Sequence, residues 1–217
     1  MSYANGWDAL NLCFSSKIPR TEYSVHDCHW ALMKAVTGVD TGRLELRPEA
    51  RREFLRAWDY SFLWKVGVSR DFLTGNGGRA TSMGHAVFGE NAAGQGDFNS
   101  NVGCPFADVE EAYALDPCRE YREFDRAELV RFFERDYADA QAAFPDMVNM
   151  SGVYISMFSG LIEIFGWELL LEAMGYDEKK FAKVVDGYYH WVKQFFDAFA
   201  ASSVPVMMVH EIGRAHV

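Results

Sequence analysis

Polar side chains that could do chemistry lie at or just after the ends of three segments with the apolar pattern of buried β-strands, at residues 21–25, 147–154 and 204–209. In parallel α/β folds the reactive face lies at the carboxyl ends of the strands, so these positions are the first to consider. The candidates, in chain order, are His26, Asp27, Cys28 and His29, then Asn149, Ser151 and Tyr154, and finally His210.

The first of these groups, residues 26–29, has side chains that zinc accepts as ligands. The spacing is tight, however, and no second ligand pair occurs elsewhere in the chain. The alternative is an ordinary helix N-terminus, with Asp27 as its capping or first-turn acid. We favour that alternative and predict no metal ligands, with His26 facing a substrate.

Arg20 and Glu22 stand two residues apart on the first predicted strand and therefore share one face. If that face is the interior, the two residues form a buried ion pair or grip a substrate carboxylate, which suits the fork of an arginine. If that face is the exterior, they are a surface ion pair of little energetic value. Both interpretations stay open.

His210 ends the last predicted strand and could act as a general acid/base or as a ligand. The alternative is a histidine that bonds to a neighbouring loop. Asn149 and Ser151 share one face of the third strand, where they would bond a ligand or the backbone of a turn. In the Gly- and Asn-rich insertion at 74–105, His85 and Arg79 could reach over the reactive edge or could only solvate a loop.

The predicted site consists of two groups. The catalytic residues are His210, Arg20 and Glu22, and the substrate-binding residues are His26, Asn149, Ser151, Tyr154 and His85.

Strands must alternate with helices for these residues to meet. Strands are predicted at 21–25, 61–68, 147–154 and 204–209. Helices are predicted at 29–36, from Pro48, at about 108–114 and 126–143, at 158–174, and from the capping residue Asp177 to Ala201. Such alternation predicts parallel pairing and right-handed crossovers. Four strands suit a small open sheet or half of an eight-stranded barrel, since a whole barrel needs about 250 residues.

Composition excludes several classes of protein. The chain has 217 residues, a net charge of −10 and a pI near 5.0, which argues against binding to nucleic acid. No apolar run is long enough to span a membrane, and the first residues lack the pattern of a signal peptide. The four cysteines form no CxxC pair, so we expect reduced thiols and a cytoplasmic protein.

The last seven residues, 211–217, follow the final strand without a closing helix. One back-translation of them, gag atc gga aga gca cac gtc, looks like a common sequencing-adaptor read. We therefore expect a domain that covers residues 1–210, a non-native tail at 211–217, and a gene that continues. The alternative is a short natural tail.

Three stretches resemble the uroporphyrinogen decarboxylase superfamily. They are residues 18–23 (IPRTEY), residues 149–154 (NMSGVY) running into 158–166 (FSGLIEIFG), and residues 204–210 (VPVMMVH). The resemblance implies a (β/α)8 TIM barrel of which this chain supplies roughly the first half. A fragment of that kind is expected to be inactive alone.

The superfamily contains porphyrinogen decarboxylases, which need no cofactor, and zinc-dependent methyltransferases that work with corrinoid proteins. The decarboxylases have an arginine-rich loop after the first strand, where this chain has only Arg20. They also place an aspartate at the end of the second strand, and the alignment puts Ser61 at that position, with Asp59 nearby on the other face. The resemblance therefore implies an enzyme that acts on or beside a tetrapyrrole, with corrinoid-linked methyl transfer ahead of decarboxylation. The zinc ligands of the methyltransferases would lie in the missing half. A non-catalytic binding domain on the same fold is a further alternative.

Overall fold

The computed structural model describes residues 2–21, 29–81, 86–87, 97–98 and 103–210. The chain divides into two compact units. The first unit comprises Met1–Lys65, Val87–Asp97 and Asp136–Met150, and the second comprises Val66–Ala86, Phe98–Arg135 and Ser151–Val217.

Helices dominate the described residues. They are α1 (Ser2–Leu10), α2 (Trp30–Thr37), α3 (Arg47–Ala57), α4 (Asp71–Thr74), α5 (Val109–Tyr113), α6 (Pro117–Tyr121), α7 (Arg126–Ala143), α8 (Met157–Tyr176) and α9 (Glu178–Ala200), with a 3-10 turn at Leu44–Leu46. The strands are β1 (Ala86–Val87), which pairs with β2 (Asp97–Phe98), and β3 (Ser151–Val153), which pairs with β4 (Met207–Val209). Among the described residues, no helix is long and apolar enough to cross a membrane.

The helix boundaries follow local signals in the sequence. Helix α2 ends at Gly38, which takes the left-handed conformation with φ 75°. Helix α9 begins after Asp177, whose carboxylate accepts hydrogen bonds from the backbone N–H groups of Lys179 and Lys180. The helices predicted at 29–36, 108–114, 126–143 and 177–201 are therefore confirmed. Helix α8 also occurs where predicted, but Gly166 interrupts it with φ 71° and ψ 172°.

The predicted sheet pairs its strands in parallel wherever the described residues show the direction of a pairing. In the second unit β3 pairs with β4 in the register Gly152 to Met208, and an isolated parallel bridge joins Val68 to Val153. In the first unit an isolated parallel bridge joins Phe62 to Val148. These pairings show a partial α/β fold with a small two-stranded parallel sheet.

The strands are shorter than predicted. Residues 61–68 form two single bridges rather than a continuous strand, and the strands predicted at 147–154 and 204–209 contract to β3 and β4. The carbonyl of Gly152 accepts from both Gly67 N–H and Val68 N–H, whereas a regular parallel ladder gives each N–H its own carbonyl. The strand predicted at 21–25 lies, from Glu22 onward, outside the described residues.

Helix α9 supplies much of the core of the second unit. Its buried residues are Val184, Tyr188, Trp191, Val192, Phe195, Ala198 and Phe199. The sequence pattern also favoured Phe181, Val185 and Phe196, which are only half-buried, and it missed Trp191 and Ala198. The core of the first unit is a separate cluster of Leu55, Tyr60, Leu63, Ala140 and Met147, with Phe144 packed against it.

Arg79 belongs to an ion-pair network in the second unit. Its Nε donates to Glu120 Oε1 at 2.8 Å, its Nη1 donates to Glu111 Oε1 at 2.5 Å, and its guanidinium lies 4.0 Å from the centroid of the Phe106 ring. The interpretation of Arg79 as a side chain that only solvates a loop is therefore wrong, and its reach over the reactive edge stays a prediction. Its charge ties residues 77–81 to α5 and α6.

This network gives the protein an acid-sensitive contact. The hydrogen bond from Arg79 is the main cause that holds the pKa of Glu120 below its ordinary value of 4.5. Because the folded-state pKa is the lower one, the stabilisation is complete above about pH 4.5 and is lost as the pH falls through the folded-state pKa. We expect Glu120→Gln to lower the free energy of unfolding by about 1 kcal/mol at neutral pH and by much less in acid.

Urea unfolding across this pH range is the measurement. The matched control is Glu168→Gln, since Glu168 is exposed and forms no ion pair within the part of the chain that the structure describes. An equal loss of stability for Glu120→Gln at neutral and acid pH would contradict the linkage.

Candidate functional site

His210 continues the parallel ladder by one residue beyond β4. Its backbone N–H donates to the Val153 carbonyl at 3.1 Å. Its own carbonyl accepts hydrogen bonds from two hydroxyls, those of Ser156 and Ser159, the second at 3.0 Å. The backbone of His210 is therefore fixed at the carboxyl end of the β3–β4 pair, as the sequence predicts for this residue.

The imidazole ring of His210 is held from two directions. It stacks on the ring of Tyr154, with centroids 4.3 Å apart and planes inclined by 15°, and its Nδ1 lies 3.2 Å from Ser159 Oγ. The hydroxyl of Ser159 therefore contacts both the carbonyl and the ring of His210. The stacking on Tyr154 and the contact with Ser159 together set the orientation of the ring.

The first turns of α8 bring more polar groups to this region. Ser159 and Glu163 lie four residues apart on one face of an apolar helix, and only 6% and 3% of their surfaces are exposed. Glu163 Oε2 lies 3.9 Å from Arg70 Nε, and the Glu163 carbonyl accepts from Thr81 N–H at 2.6 Å. A buried carboxylate is costly without such neighbours.

Sequence reasoning placed none of Ser156, Ser159, Glu163 and Arg70 in the site. The one available signal is an acid inside the apolar first half of α8, because such a residue needs a compensating partner when it is buried. The identity of that partner is not visible in the sequence, since Arg70 lies 93 positions away from Glu163.

Taken together, these groups can position a polar ligand and exchange a proton with it. The imidazole of His210 is oriented by Ser159 and backed by the aromatic face of Tyr154. A histidine whose ring has a fixed orientation is suited to general acid/base work. The contacts with Ser156, the N-cap of α8, and with Ser159 in its first turn also fit the alternative of a structural histidine.

Asn149 lies in the first unit and has a structural environment. It is 1% exposed, and its Nδ2 donates to Gln141 Oε1 at 2.8 Å, to the Phe144 carbonyl at 2.8 Å and to the Met147 carbonyl at 3.1 Å. This amide joins the end of α7 to the start of the next strand. Of the two sequence-based interpretations of Asn149, the contacts support the one in which its side chain bonds the backbone of a turn and not a ligand.

We expect Asn149→Ala to lower the free energy of unfolding by about 2–3 kcal/mol, because three acceptors lose their donor. The matched control is Asn11→Ala, which removes an exposed bond from Asn11 Nδ2 to the Trp7 carbonyl and should cost less than about 0.5 kcal/mol. Chemical denaturation measures both values. Equal costs for the two variants would show that the Asn149 bonds are not stabilising.

Ser151 and Arg20 lie at very different depths. Ser151 is fully buried in β3, with its N–H directed at the Val206 carbonyl at 3.4 Å. Arg20, in the first unit, is exposed, and its Nη1 donates to the Trp58 carbonyl at 3.3 Å. Its backbone carbonyl accepts from Ser61 N–H and Phe62 N–H, so Arg20 lies beside the amino end of segment 61–68. His210 lies at the carboxyl end of a strand, where the reactive residues of parallel α/β folds occur, whereas Arg20 does not.

Three predicted site residues, Glu22, His26 and His85, lie outside the described residues. Within the described ranges, no three His, Cys, Asp or Glu side chains are grouped so that they could hold a metal ion. Burial is the main cause that raises the pKa of the Cys104 and Cys118 thiols, which therefore stay protonated near neutral pH and are poor nucleophiles.

Comparison with known proteins adds no relative. No family model, no curated protein and no solved structure matches the chain. The described residues themselves define a partial α/β protein with a polar cluster at the carboxyl end of a parallel strand pair. A function has to be argued from that cluster and from the sequence.

Proposed function

We propose that the chain is the N-terminal half of a (β/α)8 barrel enzyme of the uroporphyrinogen decarboxylase superfamily. In this proposal residues 1–210 belong to one barrel domain, and the intact protein acts on or beside a tetrapyrrole. The observation that carries the proposal is the placement of His210 at the carboxyl end of β4, with its ring against Tyr154 and Ser159. Parallel β3–β4 pairing across helices α8 and α9 supports it, because barrels are built from such units.

Methyl transfer linked to a corrinoid protein is the reaction we favour. Decarboxylation would require arginines for several substrate carboxylates, and Arg20 is the one arginine of its loop. It would also require an acid where the chain has Ser61, which is buried and carries no carboxylate. In methyl transfer the imidazole of His210 would take the proton that the methyl acceptor loses when it gains the methyl group.

The described residues do not fit a zinc ion by themselves. His210 has hydroxyls beside it rather than a second imidazole or a thiolate, and no metal-holding group of three occurs in the described ranges. Zinc and the corrinoid partner thus enter the proposal from the family resemblance alone, and we route no step through the metal.

The test uses the intact protein from the complete reading frame. It is incubated with methylcobalamin and candidate acceptors, and separately with uroporphyrinogen. We expect the cobalamin spectrum to show loss of the methyl group and expect no coproporphyrinogen to form. Conversion of uroporphyrinogen would establish the decarboxylase alternative and overturn methyl transfer. Tight tetrapyrrole binding without either reaction would establish a non-catalytic binding domain.

A further inference from the structure

A cavity of about 290 Å³ in the second unit lies apart from the His210 cluster. It is lined by Phe72 of α4, by Arg122 and Phe124 of the segment before α7, and by Glu128, Leu129, Arg131, Phe132 and Arg135 of α7. Its volume is at the lower end of the range for small-molecule sites, which is about 300–1,000 Å³. It therefore suits a group of one or two rings.

The side chains that line this cavity carry a net positive charge, whereas the chain as a whole is negatively charged. Three arginines and one glutamate line it, while the whole chain carries −10. The glutamate, Glu128, faces Arg122 across 3.8 Å. Arg131 and Arg135 form no ion pair and no side-chain hydrogen bond with the described residues, and both are exposed. Two guanidinium groups are thus available to an anion.

The spacing of this arginine pair is unfavourable for the helix itself. Arg131 and Arg135 stand four residues apart on α7 and so lie on the same face. Like charges at this spacing destabilise a helix, and guanidinium groups cannot lose their protons to relieve the repulsion. An anion bound between them would remove that repulsion and could accept bonds from both forks.

The floor of the cavity is aromatic. The Phe72 ring lies 5.4 Å from that of Phe124 and 5.3 Å from that of Phe132, in tilted and edge-on arrangements. All three rings are half-buried, so part of each faces the cavity. Partly exposed phenylalanines offer an apolar ligand both burial and ring-to-ring contact.

The arginine at the rim has a strained backbone. Arg122 has φ 67°, in the region that residues with a Cβ rarely adopt. Its carbonyl accepts a 2.7 Å hydrogen bond from Trp191 Nε1, which holds this conformation, and its guanidinium lies 4.8 Å from the centroid of the Phe124 ring. Strain of this kind, supported by its surroundings, positions a side chain at a defined place.

We propose that this cavity binds an amphiphilic anion, namely an aromatic ring that carries a phosphate or a carboxylate. The ring packs on Phe72, Phe124 and Phe132, and the anionic group lies between Arg131 and Arg135. This site is independent of the barrel enzyme proposed above, because none of its residues belongs to the His210 cluster.

The experiment is calorimetric titration of the intact protein with 1-naphthyl phosphate, 1-naphthoate, 1-naphthol and inorganic phosphate. We expect one of the two naphthyl anions to bind at least 10-fold more tightly than both naphthol and phosphate, and the tighter of the two identifies the anionic group. Arg131→Ala and Arg135→Ala should each weaken that binding about 10-fold, which corresponds to about 1.4 kcal/mol. Arg119→Ala, which removes the same charge from an exposed position of α6 outside the cavity, should leave it unchanged.

Each other result counts against the proposal. Equal binding of inorganic phosphate would show a diffuse ion atmosphere, and equal binding of naphthol would show apolar adsorption. If Arg119→Ala and Arg131→Ala weakened binding equally, the ligand would not bind at α7. Thermal unfolding of each variant shows whether it is still folded. Arg131→Lys and Arg135→Lys keep the charge and should retain more affinity than the alanine variants.

Discussion

Gly152→Ala should destabilise the second unit by at least about 3 kcal/mol. Gly152 lies directly opposite Met208 in the β3–β4 pair. A Cβ on Gly152 would lie 2.7 Å from the carbonyl carbon and 2.8 Å from the nitrogen of Met208, and closer still to its oxygen. These atoms are backbone and cannot rotate away, so the methyl group would have to separate the only strand pair that carries His210 among the described residues.

The control makes the same chemical change at an open position. Gly175 lies in the last turn of α8 with nothing within 4 Å of an added Cβ. Gly175→Ala should be neutral or stabilising by up to about 1 kcal/mol, because alanine has the higher helix propensity and the smaller entropy in the unfolded chain. Chemical denaturation gives both free energies of unfolding. A Gly152→Ala protein as stable as Gly175→Ala would mean that β3 and β4 are not in contact as described.

If the intact protein is the enzyme proposed above, replacing His210 should reduce its turnover by about 100-fold or more, which is the usual contribution of a general acid/base. Two variants separate chemistry from structure. His210→Ala removes both the ring and its contact with Ser159, whereas His210→Asn keeps a polar group near the position of Nδ1 and removes Nε2. We expect both variants to lose activity. The melting temperature of His210→Asn should be closer to that of the unaltered protein than the melting temperature of His210→Ala.

The neighbours of His210 should have smaller effects. Ser159→Ala removes the contact that orients the ring and should lower turnover about 10-fold. Tyr154→Phe keeps the stacked ring and should have little effect. If His210→Asn retained turnover within about 3-fold of the unaltered protein, His210 would be a structural residue that only ties the strand to α8.

The sequence alone predicted the positions of most helices because their signals are local. Gly38 ends α2 since it accepts φ 75°, and Asp177 begins α9 since its carboxylate reaches N–H groups two and three residues ahead. The alternation of helices with apolar strands also indicated parallel pairing, which the β3–β4 pair and two single bridges confirm. The eight-stranded barrel and its chemistry remain proposals.

The lengths of the strands and the partners of the charged side chains were decided only by the tertiary structure. Residues 61–68 have the pattern of a full strand but pair at two points, because ladder bonds depend on how neighbouring segments twist and approach. Arg79 is held by Glu111 and Glu120, 32 and 41 positions away, although its Gly-rich sequence context suggests a solvated loop.

The candidate site divides in the same way. The place of His210 after an apolar strand follows from the sequence, since the end of a parallel strand has a fixed relation to the reactive edge. The orientation of its ring depends on Ser159, which lies 51 positions away on a different element. The cavity of Arg131 and Arg135 likewise needs Phe72, brought from α4 to α7 by packing. Local propensity sets where elements begin and end, but contacts between distant residues exist only once those elements have packed.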